Sequence, residues 1–143
     1  MVLDNITLLV DFGLVVLIWI VQRIIYPSFL YYKTSKLLIW HTKYMARFST
    51  IVIPLMLGQL VLSIYQLFID INSNSLIVFG IIVLLWMSTF LQFVPIHTRI
   101  SKGIVTEEML KKLVYKNWIR TILWTLLFLY HFINNLILSI VVI

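Results

Sequence analysis

Four mostly apolar stretches, each of about 20 residues or more, run through this chain, and hydrocarbon leaves such segments few structural choices. Lipid offers no hydrogen-bond partner, so each stretch must pair its own N–H and C=O groups as a helix. The stretches run from Thr7 to Tyr31, Tyr44 to Ile69, Ser75 to Ile96 and Val114 to Ile143. The chain is 62% hydrophobic and 11% charged, against about 45–50% and about 25% for a soluble domain. The spacing predicts an all-α membrane protein. It is one transmembrane domain over residues 1–143, folded as an antiparallel four-helix bundle, with no length left for a soluble domain.

The charges orient that bundle. All eleven Lys and Arg residues fall around two of the three connections, from Arg23 to Arg47 and from Arg99 to Arg120. The N-terminal end and the second connection hold Asp4, Asp11 and Asp70, and Asp11 is expected to be solvated near its interface. Excess Lys and Arg marks the cytoplasmic face, so both termini should lie outside, in a membrane such as the bacterial inner membrane. The net charge of +6 then reflects topology and contact with anionic lipid, at about 1 kcal/mol per juxtamembrane base, and not nucleic-acid binding. No cysteine is present, which removes thiolate chemistry. The start Met1-Val2-Leu3-Asp4-Asn5 lacks a basic n-region, so the first stretch reads as a retained span.

The connections differ. Asp70 to Ser75 is a short run of turn formers. Residues 102–112 read as an interfacial amphipathic helix with Thr106 as its N-cap. Tyr26, Tyr31, Tyr32, Trp40, Tyr44 and Trp118 read as an inner aromatic belt. A weak repeat suggests two related hairpins. Gln22 and Pro27 close span 1, and Gln92 and Pro95 close span 3. His41 and His97 follow. Tyr44 then stands three residues before Arg47, and Asn117 three before Arg120.

Polar side chains inside spans are costly and tend to face the bundle interior, which makes them candidates for function. His41, His97, Arg47, Asn117 and Arg120 can gather near the inner face as a catalytic set. The imidazoles would act as bases and the arginines would hold an enolate or phenolate. Gln22, Tyr44, Trp86, Gln92 and Trp124 are candidate pocket walls, with mid-span Trp19 joining Trp86 and Trp124 against a flat apolar ligand. Interhelical hydrogen bonding accounts for His131, Asn134 and Asn135, and Arg23 is expected to snorkel to the interface. The only Glu residues are Glu107 and Glu108, too few inward carboxylates for a di-iron centre, and no metal site is expected.

Val94-Pro95-Ile96-His97-Thr98-Arg99-Ile100, followed by Asn117-Trp118-Ile119-Arg120-Thr121, resembles the anthrone-oxygenase-like membrane family. His97 takes the place of that family's usual Asn, and Leu113 that of its usual Trp. The resemblance implies four spans and cofactor-free oxidation of a polycyclic anthrone by O₂. Tyr44-Met45-Ala46-Arg47 through Pro54-Leu55-Met56 more loosely resembles the four-helix membrane protoporphyrinogen oxidases, which implies haem b on intramembrane His. Three readings stand beside one another. The first is an oxidoreductase or oxygenase acting on a lipophilic polycyclic or isoprenoid compound. The second is a redox protein holding haem on His41 or His97. The third is a non-enzymatic subunit that grips membrane lipids, a second copy or another membrane protein. Reporter fusions test the orientation: an enzyme active only outside the cytoplasm should be active at the C-terminus, and a cytoplasmic C-terminus would reverse the topology.

Overall fold

The computed structural model describes residues 2–141. It is all helical, and four rods run back and forth. They are α1 (Val2–Tyr31), α2 (Thr34–Ile69), α3 (Ser73–Ser101) and α4 (Glu107–Val141). The first three are long and apolar enough to cross a membrane. Large apolar side chains such as Leu9, Ile53, Phe68, Leu91 and Ile119 cover the outside, as expected where the surrounding solvent is lipid.

Each rod turns one narrow row inward. On α2 the buried row passes Leu37, His41, Tyr44, Met56, Gln59 and Ser63. On α4 it passes Leu110, Leu113, Asn117, Arg120, Trp124 and Leu127. With half-buried Phe48 and Val52 bridging Tyr44 to Met56, both rows advance in three- and four-residue steps, the signature of one helical face. Phe29, Leu113, Ile100 and Phe93 seal the basic end of the core, and Leu14, Ile82 and Leu85 fill the middle.

α1 and α3 share an irregularity. Val21–Ile25 and Thr89–Phe93 are π-helical turns, each followed directly by a proline-containing turn. Tyr26 N–H donates to the Val21 carbonyl and Val94 N–H to the Thr89 carbonyl, five residues back in both cases. Proline has no N–H and its ring crowds the carbonyl four residues earlier, so the ladder widens just before Pro27 and Pro95. The extra residue resets the helical phase. The inward row of α1 steps Ile18, Gln22, Tyr26, Phe29, and that of α3 steps Leu85, then Phe93, His97, Ile100. An unbroken 3.6-residue helix would turn Tyr26 and His97 off the inner face by roughly 100°.

The connections depart from expectation in two places. Residues 102–112 do not form a separate surface helix. Gly103 turns the chain at φ 73°, a left-handed conformation that favours glycine, and α4 then runs unbroken from Glu107. Thr106 does cap it, accepting from Met109 N–H at 3.2 Å. Lys111 bonds Glu107 at 2.6 Å on the exposed first turn and holds its carboxyl below the usual carboxylate range. The second difference is that α2 begins at Thr34 and not near Tyr44, which carries His41 into regular helix. At the opposite end Asn72 and Ser75 form a reciprocal capping box at the start of α3.

Because the π turn is an inserted residue, deleting exposed Gln92 should restore an α-helix with both flanks still in register. The protein should remain folded and monodisperse, with a lowered thermal midpoint because the Pro95 ring again crowds the preceding turn. Deleting Val83, in regular helix, should rotate the whole inner row and abolish folding. Size-exclusion chromatography and melting in detergent check both.

Candidate functional site

Two polar networks lie on the bundle axis, one in each half. The first is at the basic end. His41 Nε2 and His97 Nδ1 are 2.8 Å apart. His97 Nε2 is 3.0 Å from the Tyr26 hydroxyl, and His41 Nδ1 is 3.2 Å from Ser101 Oγ. Three rods thus form one chain, Ser101–His41–His97–Tyr26, and all its members except Ser101 are buried. His97 and Ser101 are four apart on α3 and share a face. Phe29 packs edge-on against His41 and Tyr44, and Tyr26 stacks on Phe93.

Each imidazole can donate from one nitrogen and accept at the other. The chain is therefore self-consistent in two directions, with every hydrogen pointing toward Tyr26 or every hydrogen pointing toward Ser101. Switching between them moves one proton equivalent along the row without breaking the fold.

Arg120 sits beside this chain. Its guanidinium interacts with the Tyr26 hydroxyl. Nη1 donates to Asn117 Oδ1 at 3.3 Å. The guanidinium carbon lies 4.2 Å from the Phe93 ring centre and 5.0 Å from that of Trp124, close enough for cation–π attraction to both. Asn117 Nδ2 in turn donates to Gln22 Oε1 at 2.9 Å, and Gln22 Nε2 donates to the Val114 carbonyl. Among the described residues no carboxylate forms an ion pair with Arg120, and its Nε has no partner. A cavity of about 20 Å³ adjoins it, walled by Tyr26, Leu14, Ile18, Phe48, Val52 and Trp124.

The second network is in the other half. Asp11 is 1% exposed. Its two oxygens accept from Gln59 Nε2 at 2.6 Å and pair with His131 Nδ1 at 2.5 Å. Trp124 Nε1 donates to Gln59 Oε1 at 3.1 Å. The expectation that Asp11 is solvated is corrected here: it lies four residues beyond Thr7 and three before Leu14 on the inward row of α1. Half-buried His131 faces a vestibule of about 610 Å³ at the acidic end, whose walls include Thr7, Gln66, Asp70, Asn74 and Asn134.

Of the residues singled out from the sequence, His41, His97, Tyr44, Gln22, Asn117, Arg120 and Trp124 do come together. Arg47 and Gln92 do not, since both are exposed. On α2 the inward row passes from Tyr44 to Phe48, which leaves Arg47 outside. On α3 the π turn directs Phe93 inward and Gln92 out. Trp86 stacks on Phe90, and Trp19 bonds Thr125 on the outer seam of α1 and α4. Tyr26, expected in the belt, and Ser101, not among the sequence candidates, complete the chain. The four-residue spacings Gln22–Tyr26 and His97–Ser101 were the available signal. Arg23 is exposed, as expected of a snorkelling base.

Haem does not fit between His41 and His97. Two nitrogens flanking a metal stand about 4 Å apart, twice a bond of about 2 Å, whereas these are 2.8 Å apart. All four ring nitrogens are already engaged. Among the described residues no cluster of three metal-ligating side chains occurs.

No protein-family model, curated protein or solved structure matches this chain.

Asp11→Leu should destabilise the protein by about 1–3 kcal/mol for each polar group it orphans, here Gln59 Nε2 and His131 Nδ1. Asp11→Asn, which keeps an acceptor for Gln59, should cost less. Denaturant unfolding in detergent checks the order, and equal effects would mean that the hydrogen bonds do not matter.

Proposed function

We propose that this chain is a four-span, N-out/C-out protein of the cytoplasmic membrane that handles protons along its axis. The observation that carries this reading is the buried chain Ser101–His41–His97–Tyr26, which leads from the basic end to Arg120 in the interior. A neutral imidazole can accept a proton at one nitrogen while it releases one from the other, and two in direct contact form a relay. The His131–Asp11 pair lies on the same axis at the far end, below an open vestibule. Asp11 and Tyr26 are 15 residues apart on α1, about 22 Å at 1.5 Å per residue. Gln59 and Trp124 occupy part of that gap, and neither side chain relays protons. The cavity at Arg120 has room for about one water molecule. Passage therefore waits on water entering the middle, so the path is gated and slow.

A second reading keeps the relay and gives it a substrate. A base ending at Tyr26, beside a cation with no carboxylate partner, suits removal of a proton from a lipophilic polycyclic or isoprenoid compound whose anion Arg120 then holds for oxidation by O₂. The pairing of Tyr26 with Arg120 favours it. Against it, the cavity of about 20 Å³ is far below the roughly 300–1,000 Å³ of a ligand pocket, so α1 and α2 must part to admit such a compound.

Proteoliposomes with an internal pH dye decide between them. Wild type should dissipate an imposed proton gradient faster than empty vesicles. His97→Ala, Tyr26→Phe and Asp11→Asn should each slow it tenfold or more, and exposed Arg47→Ala should not. If wild type matches empty vesicles but consumes O₂ with an anthrone in a manner lost in His97→Ala and Arg120→Gln, the enzyme reading stands. If neither activity occurs, the chain is a non-enzymatic subunit.

A further inference from the structure

We infer that Arg120 is the floor of a binding site for one small monovalent anion of halide size, chloride being the natural representative. Arg120 is 6% exposed and stays protonated in any protein setting. A bare charge in an apolar interior is strongly unfavourable, and buried charges are normally paired. Among the described residues no carboxylate pairs with this one. Its supports are the Tyr26 hydroxyl, the ring faces of Phe93 and Trp124 and one long hydrogen bond to Asn117. None of these carries a negative charge.

Arg120 Nε is buried with no acceptor, and the same side chain borders the cavity of about 20 Å³. That volume holds about one water-sized particle. It excludes phosphate, sulfate and carboxylate ligands on size. The remaining wall is Tyr26 with apolar side chains, among them Leu14, Ile18 and Val52. Apolar walls discriminate against strongly hydrated ions, and the Tyr26 hydroxyl is the one further donor at hand.

The site would be coupled to the histidine chain. Tyr26 has a single hydrogen and cannot give it both to His97 Nε2 and to an anion. With the cavity occupied, Tyr26 donates to the anion, His97 Nε2–H donates to Tyr26, and every hydrogen in the row points away from Ser101. Anion binding thus selects one of the two proton arrangements. Binding itself does not depend on proton transport or turnover, so the site can be tested apart from the proposed function.

The test uses the full chain in detergent at constant ionic strength, with bromide replacing gluconate, which is too large for the cavity. Bromide should raise the thermal midpoint in a saturable way. Half-saturation should move severalfold higher in Tyr26→Phe, and the response should vanish in Arg120→Gln. Crystals grown in bromide should show an anomalous peak within about 4 Å of the Arg120 guanidinium. That measurement requires no variant and decides the matter if Arg120→Gln fails to fold. Identical melting in bromide and gluconate, a bromide response unchanged in Arg120→Gln, or an anomalous map with no peak beside Arg120 would overturn the inference.

Discussion

Arg120 carries a full charge into an apolar interior, and the neighbouring structure is arranged around that burden. Ten of the eleven bases keep their side chains at least partly in contact with the surroundings, whereas Arg120 alone is buried. Two aromatic rings face its guanidinium, and Asn117 turns a carbonyl toward it. Gln22 then satisfies the Asn117 amide, and the Val114 carbonyl satisfies Gln22. Each buried polar group needs a partner, and each partner recruits another. The result is a network that joins α1, α3 and α4 at one level of the bundle.

Proline governs which residues can take part. The two π turns before Pro27 and Pro95 each accommodate one extra residue, and that residue sets the phase of everything on the basic side. Tyr26 and His97 meet because both descending helices are shifted in the same sense. The repeat seen in the sequence therefore has a physical counterpart in matched π turns. It does not extend to the side chains. Gln22 enters the core while Gln92 faces out, and Arg120 is buried while Arg47 is not. A shared backbone device supports an asymmetric interior, with the histidines meeting toward its basic end.

Separating the two polar networks serves a membrane protein. A continuous hydrogen-bonded row of titratable groups from face to face would leak protons. Here the imidazole chain and the carboxylate–imidazole pair are divided by an amide, an indole and aliphatic packing around Leu14 and Ile18. Low dielectric strengthens each network internally and raises the barrier between them.

Much was legible in the sequence. Apolar length demanded helices, the one-sided bases marked one end, and the penalty on intramembrane polar groups identified His41, His97, Asn117 and Arg120 as inward-facing. The same rule applied to Asp11, but its nearness to the chain start pointed to solvent. Burial against Gln59 and His131, 48 and 120 residues away, is a fact of packing. So are the direct contact between the two imidazoles, which excludes haem between them, and the exclusion of Arg47. Helical periodicity assigns residues to faces along one rod. Which faces meet, at what height and with what space left over is set by how four rods pack, and a change of phase by a single residue alters all three.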